Sequence, residues 1–150
     1  IRNNEIGFIF QGFNLIPSLN ALENVELPLI YRGIGREERR RLSVAALEKV
    51  GLSKRMDHRP AEMSGGQQQR VAIARAIAAA PPVILADEPT GNLDKRSGAD
   101  VMEILRGLWR EGRTVILITH DPKIAESANR VVTISDGRII GDERKEEPVA

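Results

Sequence analysis

The chain has 150 residues, 41% of them hydrophobic and 29% charged, which suits one globular domain with a real core and excludes a disordered chain. With 22 basic against 21 acidic residues the net charge is +1, so nucleic-acid binding has no electrostatic case as the main task. Cysteine is absent, which removes disulfides and thiolate metal sites and fits a reducing compartment, and no apolar run approaches the length of a membrane span. Neither does a signal-peptide pattern open the sequence, so any membrane role is expected to come through a partner.

The sequence starts at Ile1 without methionine and enters an apolar run almost at once, which predicts a chain truncated at its N-terminus. That run, Ile6-Gly7-Phe8-Ile9-Phe10, predicts a strand buried on both faces, as in a parallel sheet. Gln11 follows its last residue, where open α/β sheets place ligand-binding groups; taken alone, a loop glutamine is the safer reading. Asn20, with Glu23 three positions on, predicts a helix start, and Pro28 weakens its later part. A second helix is predicted over 36–50, stopped by Gly51, with Leu42, Ala46, Leu47 and Val50 on its apolar face. Its first turns hold Glu37, Glu38, Arg39, Arg40 and Arg41, which read as a solvated face with some internal pairing. His58 lies in a polar turn and reads as a loop residue.

Next comes Met63-Ser64-Gly65-Gly66-Gln67-Gln68-Gln69-Arg70. Ser64 stands three residues before Gln67, the spacing of a capping box. Two glycines inside that box leave the first-turn amides unshielded, and a helix start of that kind is a ready anion site. Each glycine costs roughly 1 kcal/mol of helix stability relative to alanine, a cost that a mere cap does not require. For Ser64 and Gln67 alone an ordinary cap before a core helix is the favoured reading; both glycines and the Gln-Gln-Gln-Arg continuation turn it toward an anion site. The helix is predicted to continue to residue 80, where Pro81-Pro82 ends it.

Val83-Ile84-Leu85-Ala86 predicts a second buried strand, followed by Asp87-Glu88. Two adjacent carboxylates there are hard to explain as structure, because burying them unpaired is expensive, whereas a sheet's C-terminal edge suits metal and proton chemistry. After the 89–94 loop, a helix over 97–111 carries Val101, Ile104, Leu105 and Leu108 at core spacing. Residues 114–119 predict a third buried strand that delivers His120 to the same edge, and Asp121-Pro122 then opens a helix. The strand 131–134 turns at Asp136-Gly137 into 138–140, a hairpin, and the charged stretch that follows is predicted to be loose.

With these residues in order, the chain resembles the nucleotide-binding subunit of an ATP-binding cassette (ABC) transporter, closest to the macrolide-export and lipoprotein-release branch. The resemblance covers residue 4 to about residue 141. Gln11 is similar to the Q-loop glutamine, Ser64-Gly65-Gly66-Gln67 to the signature sequence, and Val83 to Glu88 to the Walker B strand with its catalytic glutamate. Gly91-Asn92-Leu93-Asp94 resembles the D-loop and His120 the switch histidine. Met63 in place of leucine before the signature serine, and Ala86 before Asp87, depart from the family without touching its chemistry. The larger departure is the phosphate-binding loop Gly-x-x-x-x-Gly-Lys-Ser/Thr. Gly7 and Gly12 have its glycine separation but are followed by Phe13-Asn14. The stretch Gly107 to Thr114 has arginine in place of lysine and runs from a helix into a strand rather than the reverse. Both are decoys; the loop, and with it the aromatic residue that stacks on adenine, is expected upstream of Ile1.

The resemblance implies an α/β fold of the P-loop NTPase (ABC ATPase) type, incomplete, with a parallel sheet core plus a helical subdomain. Residues 4–11 and 81–141 would form part of the ATPase core, 12–80 the helical subdomain with the signature helix, and 142–150 a loose tail. It implies ATP and Mg²⁺ as cofactors, with Asp87 holding the metal through water and Gln11 reaching both metal and attacking water. Glu88 would be the general base, and His120 would contact the γ-phosphate. Ser64, Gly65, Gly66 and Gln67 would meet the nucleotide of a second subunit in a head-to-tail dimer, with Asp94 also at the nucleotide. The helical subdomain, hinged at Gln11, would pass motion to a membrane permease, placing the protein at the cytoplasmic face of the membrane with no nucleic-acid partner. The fragment alone would be inactive. A cassette ATPase of DNA repair, chromosome structure or ribosomes is the alternative, but those relatives carry coiled coils or tandem cassettes that do not show here. A non-catalytic module is a third reading, opposed by the presence of both Glu88 and His120.

Overall fold

The computed structural model describes residues 5–146. Two compact units divide the chain after Ile118. In the first, the parallel strands β1 (Ile6–Phe10), β2 (Val83–Asp87) and β3 (Thr114–Ile118) lie in the order β1-β2-β3. Their register aligns Phe10 with Asp87 and Asp87 with Ile118, so all three strands finish on one line.

The side chains of this sheet alternate in burial, as a pleat requires. Gly7, Ile9, Ile84, Ala86, Val115 and Leu117 share the face whose central residues Ile9, Ile84 and Ala86 are at most 1% exposed. Phe8, Phe10, Ile116 and Ile118 on the other face are 41–48% exposed, and the rings of Phe8 and Phe10 stack 6.1 Å apart. The expectation of strands buried on both faces is therefore corrected: a continuous apolar run fixes a strand but not how many of its faces are covered.

The helix α1 (Ala21–Tyr31) begins with the predicted capping box and runs on through Pro28. Its first two amides donate to the carbonyls of His58 (2.8 Å) and Met56 (3.0 Å), so the polar turn around His58 serves as an outer cap. Helix α2 (Arg36–Lys49) ends as expected before Gly51, whose φ of +79° only glycine adopts freely. Its basic cluster is not merely a solvated face. Arg39 and Arg40 reach back to Glu26 of α1, which is 7% exposed, at 3.0 and 3.2 Å. Buried Asn24 accepts from the Ile16 amide and donates to the carbonyls of Ile16, Leu19 and Asn20, pinning the loop before α1.

Helix α3 (Gly65–Ile77) is the hub, packing against α1, α2, β1 and α4 (Lys95–Arg110). Val71, Ala72, Ile73 and Ala74 are all fully buried, so this helix is apolar nearly all round in its middle. It stops at Ile77 rather than at residue 80, because Ala80 turns left-handed (φ 53°) ahead of the two prolines. Gly7 of β1 is where its last turn meets the sheet: a Cβ there would lie 2.6 Å from the Ala76 carbonyl. Helix α4 starts two residues earlier than expected and buries Val101, Met102, Leu105 and Leu108.

In the second unit, Asp121 caps the one-turn helix α5 (Pro122–Ala125). The strands β4 (Arg130–Ser135) and β5 (Arg138–Arg144) pair antiparallel around Asp136 and Gly137, both at positive φ. The hairpin is longer than its apolar residues suggested. Asp142 to Arg144 join β5, with Asp142 held by Arg130 at 2.8 Å, because a cross-strand ion pair can stand where an apolar pair would. The rest of the stretch predicted as a tail includes 147–150, outside the described residues.

Candidate functional site

The strand register builds the site. With Phe10, Asp87 and Ile118 level, Gln11 and Glu88 both stand one residue beyond the sheet, beside Asp87 on its last line. The chain turns sharply there. Glu88 adopts φ 46°, a left-handed conformation that costs a non-glycine residue about 1–3 kcal/mol. Its amide is held by the Ile118 carbonyl at 2.8 Å, and its own carbonyl receives the Gly91 amide at 3.1 Å. The backbone at Glu88 is thus bonded on both sides, which is what a fixed carboxylate needs.

The Gln11 side chain is held from the 91–94 loop. Its Nε2 donates to Asn92 Oδ1 (3.2 Å), while Asn92 Nδ2 donates to the Gln11 carbonyl (3.1 Å). This reciprocal pair leaves the Gln11 Oε1 as an oxygen donor. Gly91 allows the approach: a Cβ there would come within 2.5 Å of the Gln11 amide nitrogen. Past Gln11, Phe13 and Asn14 are both left-handed (φ 48° and 56°). Arg75 of α3 fastens that turn, donating to the Phe13 carbonyl at 2.9 Å and the Asn14 carbonyl at 2.7 Å. Burial holds the Arg75 guanidinium below its ordinary pKa.

At the start of α3, the Ser64 hydroxyl accepts from the Gln67 amide (3.2 Å) and the Gln67 Oε1 accepts from the Ser64 amide (3.1 Å). The first amides of a helix lack intrahelical acceptors, and this box occupies only one amide inside α3. The two glycines differ. A Cβ on Gly66 would meet Ser97 Oγ at 2.8 Å and Ser97 Cβ at 2.9 Å, so Gly66 is demanded by the approach of α4. A Cβ on Gly65 would meet Leu93 and Phe13 only at ordinary contact distance. The absent side chain of Gly66 therefore has a packing reason besides leaving the first-turn amides unshielded.

Asp94 caps α4, accepting from the Ser97 amide at 2.9 Å. The Ser97 side chain first, and its amide second, hold the Asp94 carboxyl below the usual carboxylate range. His120 lies two residues past Ile118, in the second unit, where the neighbouring Asp121 amide donates to Thr119 Oγ1 at 3.0 Å. The first unit thus brings together Gln11, Asp87, Glu88 and the 91–94 loop, and His120 belongs to the other unit.

Sequence reasoning missed Gln69. It is fully buried on α3, and its Nε2 donates to the Phe10 carbonyl (3.2 Å) and to the Pro89 carbonyl (2.7 Å). Its Oε1 is buried with no hydrogen-bond partner among the described residues. The signal was present: Gly66, Gln69, Ile73 and Ile77 fall at helical spacing on one buried stripe, which an unbroken Gln-Gln-Gln run disguises as polar surface.

Asp87 supplies a carboxylate and Gln11 an amide oxygen, hard donors of the kind Mg²⁺ prefers, together with water and phosphate oxygens. Among the described residues no group of three or more His, Cys, Asp or Glu forms a ready-made metal cage.

The family described as ABC transporter matches residues 1–91. An uncharacterized ABC transporter ATP-binding protein, YvrO of Bacillus subtilis, is 54% identical over 144 residues, covering 96% of this chain and 63% of that protein. The macrolide export ATP-binding/permease protein MacB 2 of Yersinia pestis bv. Antiqua is 54% identical over 142 residues, 95% of this chain and 21% of that protein. The solved dimeric structure of MJ0796, a bacterial ABC transporter cassette, matches with a TM-score of 0.82 at 46% identity, covering 97% of this chain and 65% of the cassette. A second structure of MJ0796, titled as a post-hydrolysis state bound to ADP and Pi, matches with the same TM-score at 45% identity. The chain spans about three fifths of the length of the curated ATP-binding proteins it matches.

Proposed function

The chain belongs to the ABC transporter family of ATP-binding cassettes, with the α/β P-loop NTPase fold of that family, and from that premise we propose that it works within an ATP-hydrolysing subunit that drives a membrane transporter. The observation that carries the reading is the common finish line of the three strands, which sets Gln11, Asp87 and Glu88 at one edge with the backbone of Glu88 bonded on both sides. Asp87 would hold Mg²⁺ through water, and the Gln11 oxygen would reach toward the same ion. The bound Mg-ATP supplies the electrophilic phosphorus and the charge neutralisation that phosphoryl transfer needs. Glu88 would accept the proton of the attacking water, and His120 would contact the γ-phosphate and stabilise developing charge.

The start of α3, with Ser64, Gly65, Gly66 and Gln67, would direct its amides at a γ-phosphate held by a second subunit, with Asp94 nearby. Nucleotide would then close a head-to-tail pair and hydrolysis release it. Residues 12–80 form the helical subdomain in this reading, against a core part of 4–11 and 81–141, and pass the motion to a permease, fused or separate. No helix among the described residues is long and apolar enough to cross a membrane; in this reading the permease holds the subunit at the cytoplasmic face. The sequence contains no Gly-x-x-x-x-Gly-Lys-Ser/Thr stretch, so these 150 residues by themselves would not hydrolyse ATP.

The test is Glu88→Gln in the full gene product. Turnover should fall by about a thousandfold or more while ATP binding and nucleotide-driven pairing persist, since the amide keeps the shape and loses the base. Near-normal phosphate release would remove Glu88 from the role.

A further inference from the structure

The candidate site lies on two segments that leave the sheet where the pairing of β1 with β2 ends at Phe10 and Asp87, so the ladder itself does not set the spacing of the residues beyond it. Gln11, Gly91 and Asn92 are all exposed, and the 11–14 turn carries two left-handed residues. What joins the segments from beneath is one side-chain amide. Gln69 spends both hydrogens of its Nε2 on the carbonyl before Gln11 (Phe10, 3.2 Å) and on the carbonyl after Glu88 (Pro89, 2.7 Å). An amide nitrogen is planar with two donors at a set angle, so it fixes the spacing of two acceptors in a way that an aliphatic side chain of equal volume cannot. Full burial with an unsatisfied Oε1 marks a group kept for its donors rather than for its fit to an apolar stripe. From above, the Gln11–Asn92 pair closes the same gap.

We propose that Gln69 is a positioning residue for hydrolysis: through the Phe10 and Pro89 carbonyls it sets Gln11 and Glu88 at their working separation. Both of its amide hydrogens go to backbone carbonyls, so it acts through the residues they belong to. Because it sits on α3, a displacement of that helix is handed to both segments together, and the helix that begins at Ser64 is tied to the chemistry at the sheet edge. This rests on the hydrolase reading of the site.

The experiment compares wild type, Gln69→Leu and Gln69→Met in the full gene product, measuring kcat, KM for Mg-ATP and folding by circular dichroism. Both variants retain apolar packing volume and lose the donor. A folded variant should show kcat lowered by about ten- to a hundredfold with KM within about threefold, since misplacement of reacting groups falls on the chemical step. Wild-type kcat in a folded variant overturns the assignment. So does failure of both variants to fold, which would make the amide a requirement of the core. A wild-type protein that releases no phosphate from ATP, alone or with its membrane partner, overturns the hydrolase reading and this proposal with it, an outcome distinct from active wild type with unaffected variants.

Discussion

At the scale of single residues, the site depends on side chains that are missing as much as on those present. Gly91 has an ordinary negative-φ backbone, so alanine there is free of backbone strain, yet its Cβ would fall 2.5 Å from the Gln11 nitrogen. The atom struck is the flexible end of an exposed side chain, which can swing away cheaply. Gly91→Ala should therefore change thermal stability by less than about 1 kcal/mol while turnover in the full gene product falls about tenfold. Unchanged kcat would show that the Gln11–Asn92 pair does not matter to hydrolysis, and a collapse in thermal midpoint would show that Gly91 serves the fold instead. Glu88 illustrates the converse. Backbone preference alone would favour glycine at φ 46°, so the carboxylate stands there against local comfort, as strained residues at functional sites do.

At the scale of elements, β1 and α3 meet backbone to backbone. A methyl on Gly7 would sit 2.6 Å from the Ala76 carbonyl, with Ile84 Cδ1 at 3.0 Å and Pro81 Cγ at 3.1 Å, and a carbonyl within a helix has no room to yield. Gly7→Ala should destabilise the chain by about 2–3 kcal/mol in chemical denaturation, and a change under 1 kcal/mol would mean the helix slides off the strand easily. Gly7 is thereby a packing glycine, which gives a physical reason why its separation from Gly12 is a decoy. Strands and helices were largely legible because apolar runs, caps and Asp136-Gly137 all speak locally. What was not legible depended on tertiary partners. Arg39 and Arg40 look like surface until Glu26 is placed opposite them, Gln69 looks polar until its stripe is drawn, and 142–144 look loose until Arg130 pairs with Asp142. The candidate site followed the same rule: strand ends drew attention to Asp87 and Glu88 and the family resemblance to Gln11, whereas the carbonyls bonded beneath them by Gln69 were not visible.

At the scale of the whole molecule, the proposed function has these 150 residues offering a nucleotide the edge with Gln11, Asp87 and Glu88 without a phosphate cradle. Calorimetric titration of Mg-ATP into the purified 150-residue chain should show no micromolar binding and no phosphate release. Micromolar affinity would show that the sheet edge and α3 suffice to hold the ligand. The bonds of the first unit also sort by charge. The helical periphery is joined by ions at the surface, Arg70 to Asp100 at 3.0 Å and Lys49 to Glu111 at 2.5 Å. The strand ends are joined by the neutral amides of Gln69, to two carbonyls, and of Gln11, to Asn92, with the Arg75 guanidinium on the adjoining turn. Dissolved electrolyte screens the first kind of link, with a reach of roughly 10 Å at 0.1 M, and has almost no hold on the second. Rising ionic strength therefore weakens the surface links Arg70–Asp100 and Lys49–Glu111 while leaving the Gln69 and Gln11–Asn92 bonds, and the spacing they set at the strand ends, unchanged.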